Sequence, residues 1–144
     1  MKIRAVLDTN ILVAGLSSQN GASFALLQNA FEQQFVMLAS PALWLEYEAT
    51  LKRADIAKLH RLSHASIDDV LNALASVATA VRSHFLWRPQ LRDAGDELVL
   101  EAAVNGMANY LVTLNVKDFT PAAQHFGIVL SSPAKLLNLV EKTK

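Results

Sequence analysis

The sequence predicts an α/β sandwich in which helices flank a central parallel sheet, and three observations predict it. Short apolar runs alternate with longer segments whose apolar residues recur at helical spacing, the pattern of strands joined by helical crossovers. The first of these runs, at 3–7, is apolar enough to read as a buried strand. Polar residues stand directly behind two of the strand-like runs, Asp8 after the first and Asn115 after the fourth. In parallel sheets of this class, chemistry gathers at the carboxyl ends of the strands.

The elements follow in order. Behind the strand at 3–7, residues 22–33 carry Phe24, Leu27 and Phe31 at helical spacing. Residues 35–39 read as a second strand. Ser40-Pro41 then supplies an N-cap and a proline at the first helical position, opening a helix expected to run to Ala54. A polar, basic connection is expected over 55–65. Ser66-Ile67-Asp68-Asp69 resembles a capping box and opens a helix through Ala78. A third strand is expected at 81–86. A helix at 96–105 ends at Gly106, a residue suited to a left-handed cap. A fourth strand follows at 110–114, a short helix starts at Thr120-Pro121, a last strand occupies 128–130, and Ser132-Pro133 caps the final helix.

A chain of 144 residues suits one domain over 1–144 with one core. At 52% hydrophobic residues and a mean hydropathy of +0.25, it has ample material for that core. No apolar run approaches the roughly 18 residues of a membrane helix. The run behind the basic start ends at Asp8, too short for a signal-peptide core. With no cysteine, disulfides and thiolate metal sites are excluded, and a cytoplasmic protein is expected. Thirteen basic and thirteen acidic residues cancel. A polyanionic partner must therefore be held by local patches, and neutrality favours self-association.

Four segments set acids beside apolar elements: Asp8, Glu46, Asp93 with Asp96, and Asp118. Carboxylates brought together repel by roughly 4 kcal/mol per pair at 4 Å and an effective dielectric near 20, and oxygen-only sites suit Mg²⁺ or Mn²⁺. Each acid also has a plain structural reading. Asp8 can cap a helix starting at Asn10. Asp96 can serve the dipole of its own helix. Asp118 can be a turn residue. Glu46 and Glu48 flank the apolar stripe of Leu43, Tyr47, Leu51 and Ala54 on opposite sides, so periodicity does not choose between them.

The segments "VLDTNILVAGL", "SPALWLEYE", "RDAGDELVLEAAVNGMANYLVT" and "LVTLNVKDF" resemble, in order and with matching spacing, the successive blocks of a PIN domain. They are most similar to bacterial PIN-domain toxins of toxin–antitoxin systems, relatives of the VapC-type toxins. The resemblance implies a three-layer fold and a metal-dependent endoribonuclease that cuts single-stranded or structured RNA. It also implies a Mg²⁺ (or Mn²⁺) cofactor, a cognate antitoxin protein and a homodimer, with no membrane role. Carried across, the family's catalytic positions fall on Asp8, Glu46, Asp96 and Asn115, and its metal ligands on Asp8, Glu46, Asp96 and Asp118. The resemblance, not the wheel, selects Glu46 over Glu48. Asn10 and Thr113 match neighbouring positions and are expected to serve the substrate or orient a ligand. Many relatives carry Asp at the position of Asn115, which here lowers the negative charge of the site. A rival reading follows: a PIN fold with little or no catalysis, acting by partner or RNA binding.

Two basic stretches offset the neutral total. One holds Lys52, Arg53, Lys58, His60, Arg61 and His64; the other holds Arg82, His84, Arg88 and Arg92 around Phe85 and Trp87. Basic side chains position phosphates and aromatics stack on bases. Arg88 and Arg92, just ahead of Asp93 and Asp96, are the stronger candidates for substrate. A zinc pair at His60 and His64 is disfavoured, having no Glu between and no clear third ligand. A phosphatase with Asp8 as nucleophile wants a second Asp two residues on, where Asn10 stands.

Overall fold

The computed structural model describes residues 2–82 and 93–143. Its strands are β1 (Arg4–Leu7), β2 (Val36–Ala39), β3 (Thr79–Ala80), β4 (Tyr110–Val112) and β5 (Val129–Ser131). They form one sheet in the order β3-β2-β1-β4-β5, and every pairing is parallel. The helices among the described residues are α1 (Thr9–Ser17), α2 (Ala22–Phe31), α3 (Pro41–Leu51), α4 (Ala54–His60), α5 (His64–Val77), α6 (Ala94–Asn105), α7 (Val116–Phe126) and α8 (Pro133–Lys142). The arrangement is the expected three-layer α/β sandwich. Helix α6 lies against β1, β2 and β4 and packs on α3 and α7, while α1 packs on α2 and α2 on α8.

Beyond Arg4 at the start of β1, the central strands are built of apolar residues and Tyr110 because both of their faces are covered. Ala5, Val6, Leu7, Leu38, Leu111 and Val112 are fully buried. Strand β1 is the switch point of the sheet. The chain leaves it toward β2 and β3 on one side and returns to β4 and β5 on the other. A crevice opens at the carboxyl ends of strands where the order reverses in this way. The register aligns Leu7 with Val112, so Asp8 and Thr113 leave the sheet side by side at that crevice.

The two Ser-Pro signals hold. Ser40 accepts from the Leu43 amide at 3.1 Å, and Ser132 accepts from the Lys135 amide at 3.2 Å. Other boundaries move. The connection expected over 55–65 contains α4, ended by Arg61 in the left-handed conformation at φ 60°. Helix α5 starts at His64, since Ser63 rather than Ser66 is the cap and accepts from the Ser66 amide. Helix α7 starts at Val116, not at Thr120. It absorbs Pro121, forfeiting one backbone bond in order to bury Phe119, Ala122 and Ala123. Of the strand expected at 81–86, the structure shows pairing two residues earlier, at Thr79–Ala80; residues 83–86 lie outside the described residues.

The end of α6 differs in an instructive way. Gly106 has φ −85°, and the left-handed residue is Met107 at φ 52°. The Ala108 amide bonds the Ala103 carbonyl and the Met107 amide bonds the Val104 carbonyl, which is the Schellman closure. Gly106 is needed for space rather than torsion. A Cβ there would fall 2.8 Å from Val81 Cγ2 and 2.9 Å from the Ala102 carbonyl.

Candidate active site

The site is built from strand ends. Asp8 occupies the N-cap position of α1 yet makes no side-chain capping bond. The residue is only 5% exposed, and its carboxylate instead accepts a 2.6 Å hydrogen bond from Thr113 Oγ1 at the end of β4. Thr113 Oγ1 in turn accepts from the Asn115 amide at 2.9 Å. Asp8 thus stands at the N-cap position without making a side-chain capping bond, and its hydroxyl partner comes from a neighbouring strand. Asn10 Oδ1 accepts from the Leu114 amide across a long 3.4 Å, tying the first turn of α1 to the β4–α7 junction.

Helix α3 supplies the second acid. Leu43, Tyr47 and Leu51 form its buried stripe, and the Tyr47 hydroxyl donates a 2.5 Å bond to the Leu7 carbonyl. That bond holds α3 against the last residue of β1, next to Asp8. On one flank of the stripe, Glu48 joins Lys52, which also pairs with Asp68 of α5. On the other flank, Glu46 faces a cleft and receives a weak 3.3 Å bond from Thr50 Oγ1. The structure thus separates two glutamates that periodicity left equivalent.

Helix α6 supplies the third. Its cap is Asp93, whose Oδ1 accepts from the Gly95 amide at 2.7 Å and the Asp96 amide at 3.2 Å. Gly95 lets α3 and α6 approach, since a Cβ there would lie 2.9 Å from Glu46 Oε1 and 3.0 Å from Asp93 Oδ1.

These pieces enclose an open cleft of about 270 Å³. Asp8, Glu46, Asp93, Asp96 and Asn115 all line it, with Thr9, Asn10 and Gly95. The fourth carboxylate, Asp93, stands among the acids noted in the sequence but has no role expected there; its place as the cap of the Asp96 helix is what brings it to the cleft. Thr50, Arg53 and Ile56 line the cleft from the α3–α4 side; Arg53 belongs to the first basic stretch, but its place at the cleft is not readable from the sequence. Asp118 does not line the cleft. It is exposed in the first turn of α7, although its charge acts on Asp8 and Asp96. Arg88 and Arg92 lie outside the described residues. The histidines part company: His60 ends α4, buried, and His64 opens α5.

The electrostatics are those of crowded acids. Burial holds the Asp8 carboxyl above its ordinary range; the Thr113 hydroxyl and Thr9 amide pull it down, and Asp93 and Asp118 push it up. Asp96 is pushed up to about 6, first by burial, then by Asp8, Asp93, Asp118 and Glu46. Among the described residues, four carboxylates thus line the cleft, and Arg53, the basic side chain beside them, is occupied by Asp55. The donors are all hard oxygens, which match Mg²⁺ or Mn²⁺ rather than a soft metal. Among the described residues no three His, Asp or Glu side chains are already gathered into a ligand set. The donor chemistry fits a hard cation, and Glu46 and Asp96, both partly exposed, have room to turn toward one.

A PIN-domain family model matches residues 4–117. The chain belongs to the PIN-domain family. The match spans β1 to the start of α7 and so takes in every residue that lines the cleft. PIN domains are generally nucleases. A 53-residue stretch is also 38% identical to the methylenetetrahydrofolate–tRNA-(uracil-5-)-methyltransferase TrmFO of Bacillus subtilis. That stretch covers 35% of this PIN domain's chain and 12% of the methyltransferase, too small a share of either to establish kinship. Among the described residues, no helix of this PIN domain is long and apolar enough to cross a membrane.

Proposed function

We propose that the cleft is the active site of a Mg²⁺- or Mn²⁺-dependent endoribonuclease, and that the protein is the toxin of a toxin–antitoxin pair. One observation carries the catalytic part. Asp8, Glu46 and Asp96, from separate parts of the chain, line a single cleft in which Asp8 and Glu46 both raise the carboxyl of Asp96. Folding against such repulsion makes sense for a site that takes up a divalent ion.

Asp8, Glu46 and Asp96 would hold the metal, with Asn115 able to add a neutral oxygen. When bound, the metal supplies a Lewis acid that lowers the pKa of a water and offsets charge on the departing oxygen of a phosphodiester. The chain's own residues prepare for this. Thr113 fixes one oxygen of Asp8 and so orients the other. Tyr47 holds the helix bearing Glu46 against β1. Asp93 stiffens the turn that presents Asp96. No histidine lines the cleft among the described residues, and this scheme requires none. An antitoxin partner, a homodimer and a cytoplasmic location follow from the same reading and rest on the resemblance of the sequence blocks to toxins of this family.

The rival reading, a PIN fold that binds without cutting, draws support from Asn115, exposed and neutral at a position where many relatives carry an acid. Incubation with single-stranded RNA separates the two. The nuclease reading expects cleavage with Mg²⁺ or Mn²⁺, none with chelator, and none from a folded Asp8→Asn variant. Cleavage in chelator, or full activity in Asp8→Asn, contradicts it.

A further inference from the structure

We propose that Arg53 is the phosphate-positioning residue of the cleft, held in reserve by Asp55 until an RNA backbone displaces that carboxylate. The inference rests on the nuclease reading and deepens it. Four acids line the cleft, and an RNA strand is itself a polyanion. A divalent ion would offset the charge of the acids at the reacting phosphate, and a basic side chain at the rim would add a fixed donor for the backbone. Among the described residues that line the cleft, Arg53 is the basic one.

Its present partner is easily exchanged. Asp55 accepts from Arg53 Nε at 3.1 Å and from Nη2 at 2.9 Å, a two-pronged geometry that a phosphate also satisfies. Both side chains are well exposed, at 58% and 67%, and exposed pairs of this kind contribute little to stability. The guanidinium also feels the charge of Glu46, so it stands near the acids rather than on a remote surface.

The backbone beneath Arg53 is firm. Arg53 takes a bond from its amide to the Thr50 carbonyl, and its carbonyl receives the Ala57 amide at the start of α4. His60, buried at the far end of α4, spans to the Leu51 carbonyl at 2.8 Å through Nε2 and accepts from the Leu62 amide at Nδ1. The segment is thus closed on itself, and the arginine swings on a fixed base.

The test uses a labelled single-stranded oligoribonucleotide. Binding is measured by anisotropy across a salt series in an Asp8→Asn background, and cleavage kinetics in otherwise unaltered protein. Arg53→Ala is expected to weaken binding about 3- to 10-fold, within the range for a typical solvent-competed hydrogen bond. It should reduce the slope of log affinity against log salt by about 0.7, one single-strand phosphate contact. KM should rise with kcat within about twofold. Arg53→Lys should keep the slope and lose part of the affinity. Asp55→Asn should tighten binding up to about fivefold, a gain absent when Arg53→Ala is also present. Unchanged affinity and slope in Arg53→Ala, or an Asp55→Asn gain that survives without the arginine, overturns the assignment while leaving the nuclease reading intact. Failure of the unaltered protein both to bind and to cleave RNA overturns both.

Discussion

Thr113 Oγ1 donates a 2.6 Å hydrogen bond to Asp8 Oδ2 between residues 105 positions apart. The two follow adjacent parallel strands, and both are buried. The bond has two uses. It supplies a partner to a carboxylate that burial would otherwise penalise, and it fixes which oxygen the crevice receives. Thr113→Val keeps the shape and removes the hydroxyl, which also leaves the Asn115 amide without its acceptor. The expected loss is about 1–3 kcal/mol, the cost of a buried group deprived of its partner. Chemical denaturation at pH 7 measures it. Thr113→Ser should restore most of both stability and RNA cleavage. A Val variant as stable and active as the parent contradicts the role.

The Asp96 carboxyl titrates at about 6, against 3.8 when unperturbed. A raised carboxyl means the folded protein keeps its proton where the unfolded chain has lost it. Stability therefore falls as pH rises from near 3.8 to near 6, and levels off above. Asp8 is raised as well and acts with the same sign. Asp96→Asn should flatten this decline and raise the metal-free melting temperature at pH 7. With Asp96 part-exposed, the gain is discounted to on the order of 1 kcal/mol, or about 2–5 °C in a chain of this size. Thermal melts in chelator between pH 4 and 8 read it. An unchanged or lower melting temperature contradicts the picture of crowded charge.

Gly95 separates function from stability. Alanine there is a better helix former, and the atom it meets most closely is the far end of the Glu46 side chain, which can move aside, while the capping Asp93 Oδ1 at 3.0 Å need yield only slightly. Gly95→Ala should melt at the same temperature or slightly higher, yet cut RNA at least about tenfold more slowly, since displacement of positioned groups is costly to rate. Equal cleavage by the variant shows that the approach of Glu46 to the Asp93 turn is incidental.

The two glutamates of α3 give a paired prediction. Glu46→Gln should abolish most cleavage with little effect on folding. Glu48→Gln removes one arm of the Lys52 pairing and should change stability by no more than about 0.5 kcal/mol, with activity retained. Cleavage assays beside melting curves settle the pair. The reverse pattern contradicts the placement of Glu46 at the site.

What the sequence made legible was local. Ser40-Pro41 and Ser132-Pro133 carry their cap and their first helical residue side by side, so both starts could be read directly. Signals with two physical solutions were misread. Ser63 and Ser66 are both able to cap, and the earlier one wins. Gly106 suggests a left-handed cap, but its smallness serves packing against Val81 while Met107 takes the strained torsion. Pro121 looks like a helix start because the burial of Phe119 behind it is a tertiary matter. Helix α4 was missed because it is only seven residues long, leaves Leu59 exposed and has a histidine as its buried anchor. At the site, the strand-end residue Asp8 was legible in the motif. Arg53 and Asp93 were visible as a basic and an acidic residue, but their convergence on the cleft was not, because it depends on how α3, α4 and α6 meet.

The central claim is that Asp8, Glu46 and Asp96 share one divalent ion. Crystals soaked in Mn²⁺ and measured for anomalous scattering test it most directly. The account predicts one strong Mn²⁺ peak in the cleft, within about 2–2.5 Å of carboxylate oxygens of Asp8 and Asp96 and close to Glu46 directly or through water, absent from Asp8→Asn crystals. A peak elsewhere on the molecule with the cleft empty, or one that persists without the Asp8 carboxylate, contradicts it.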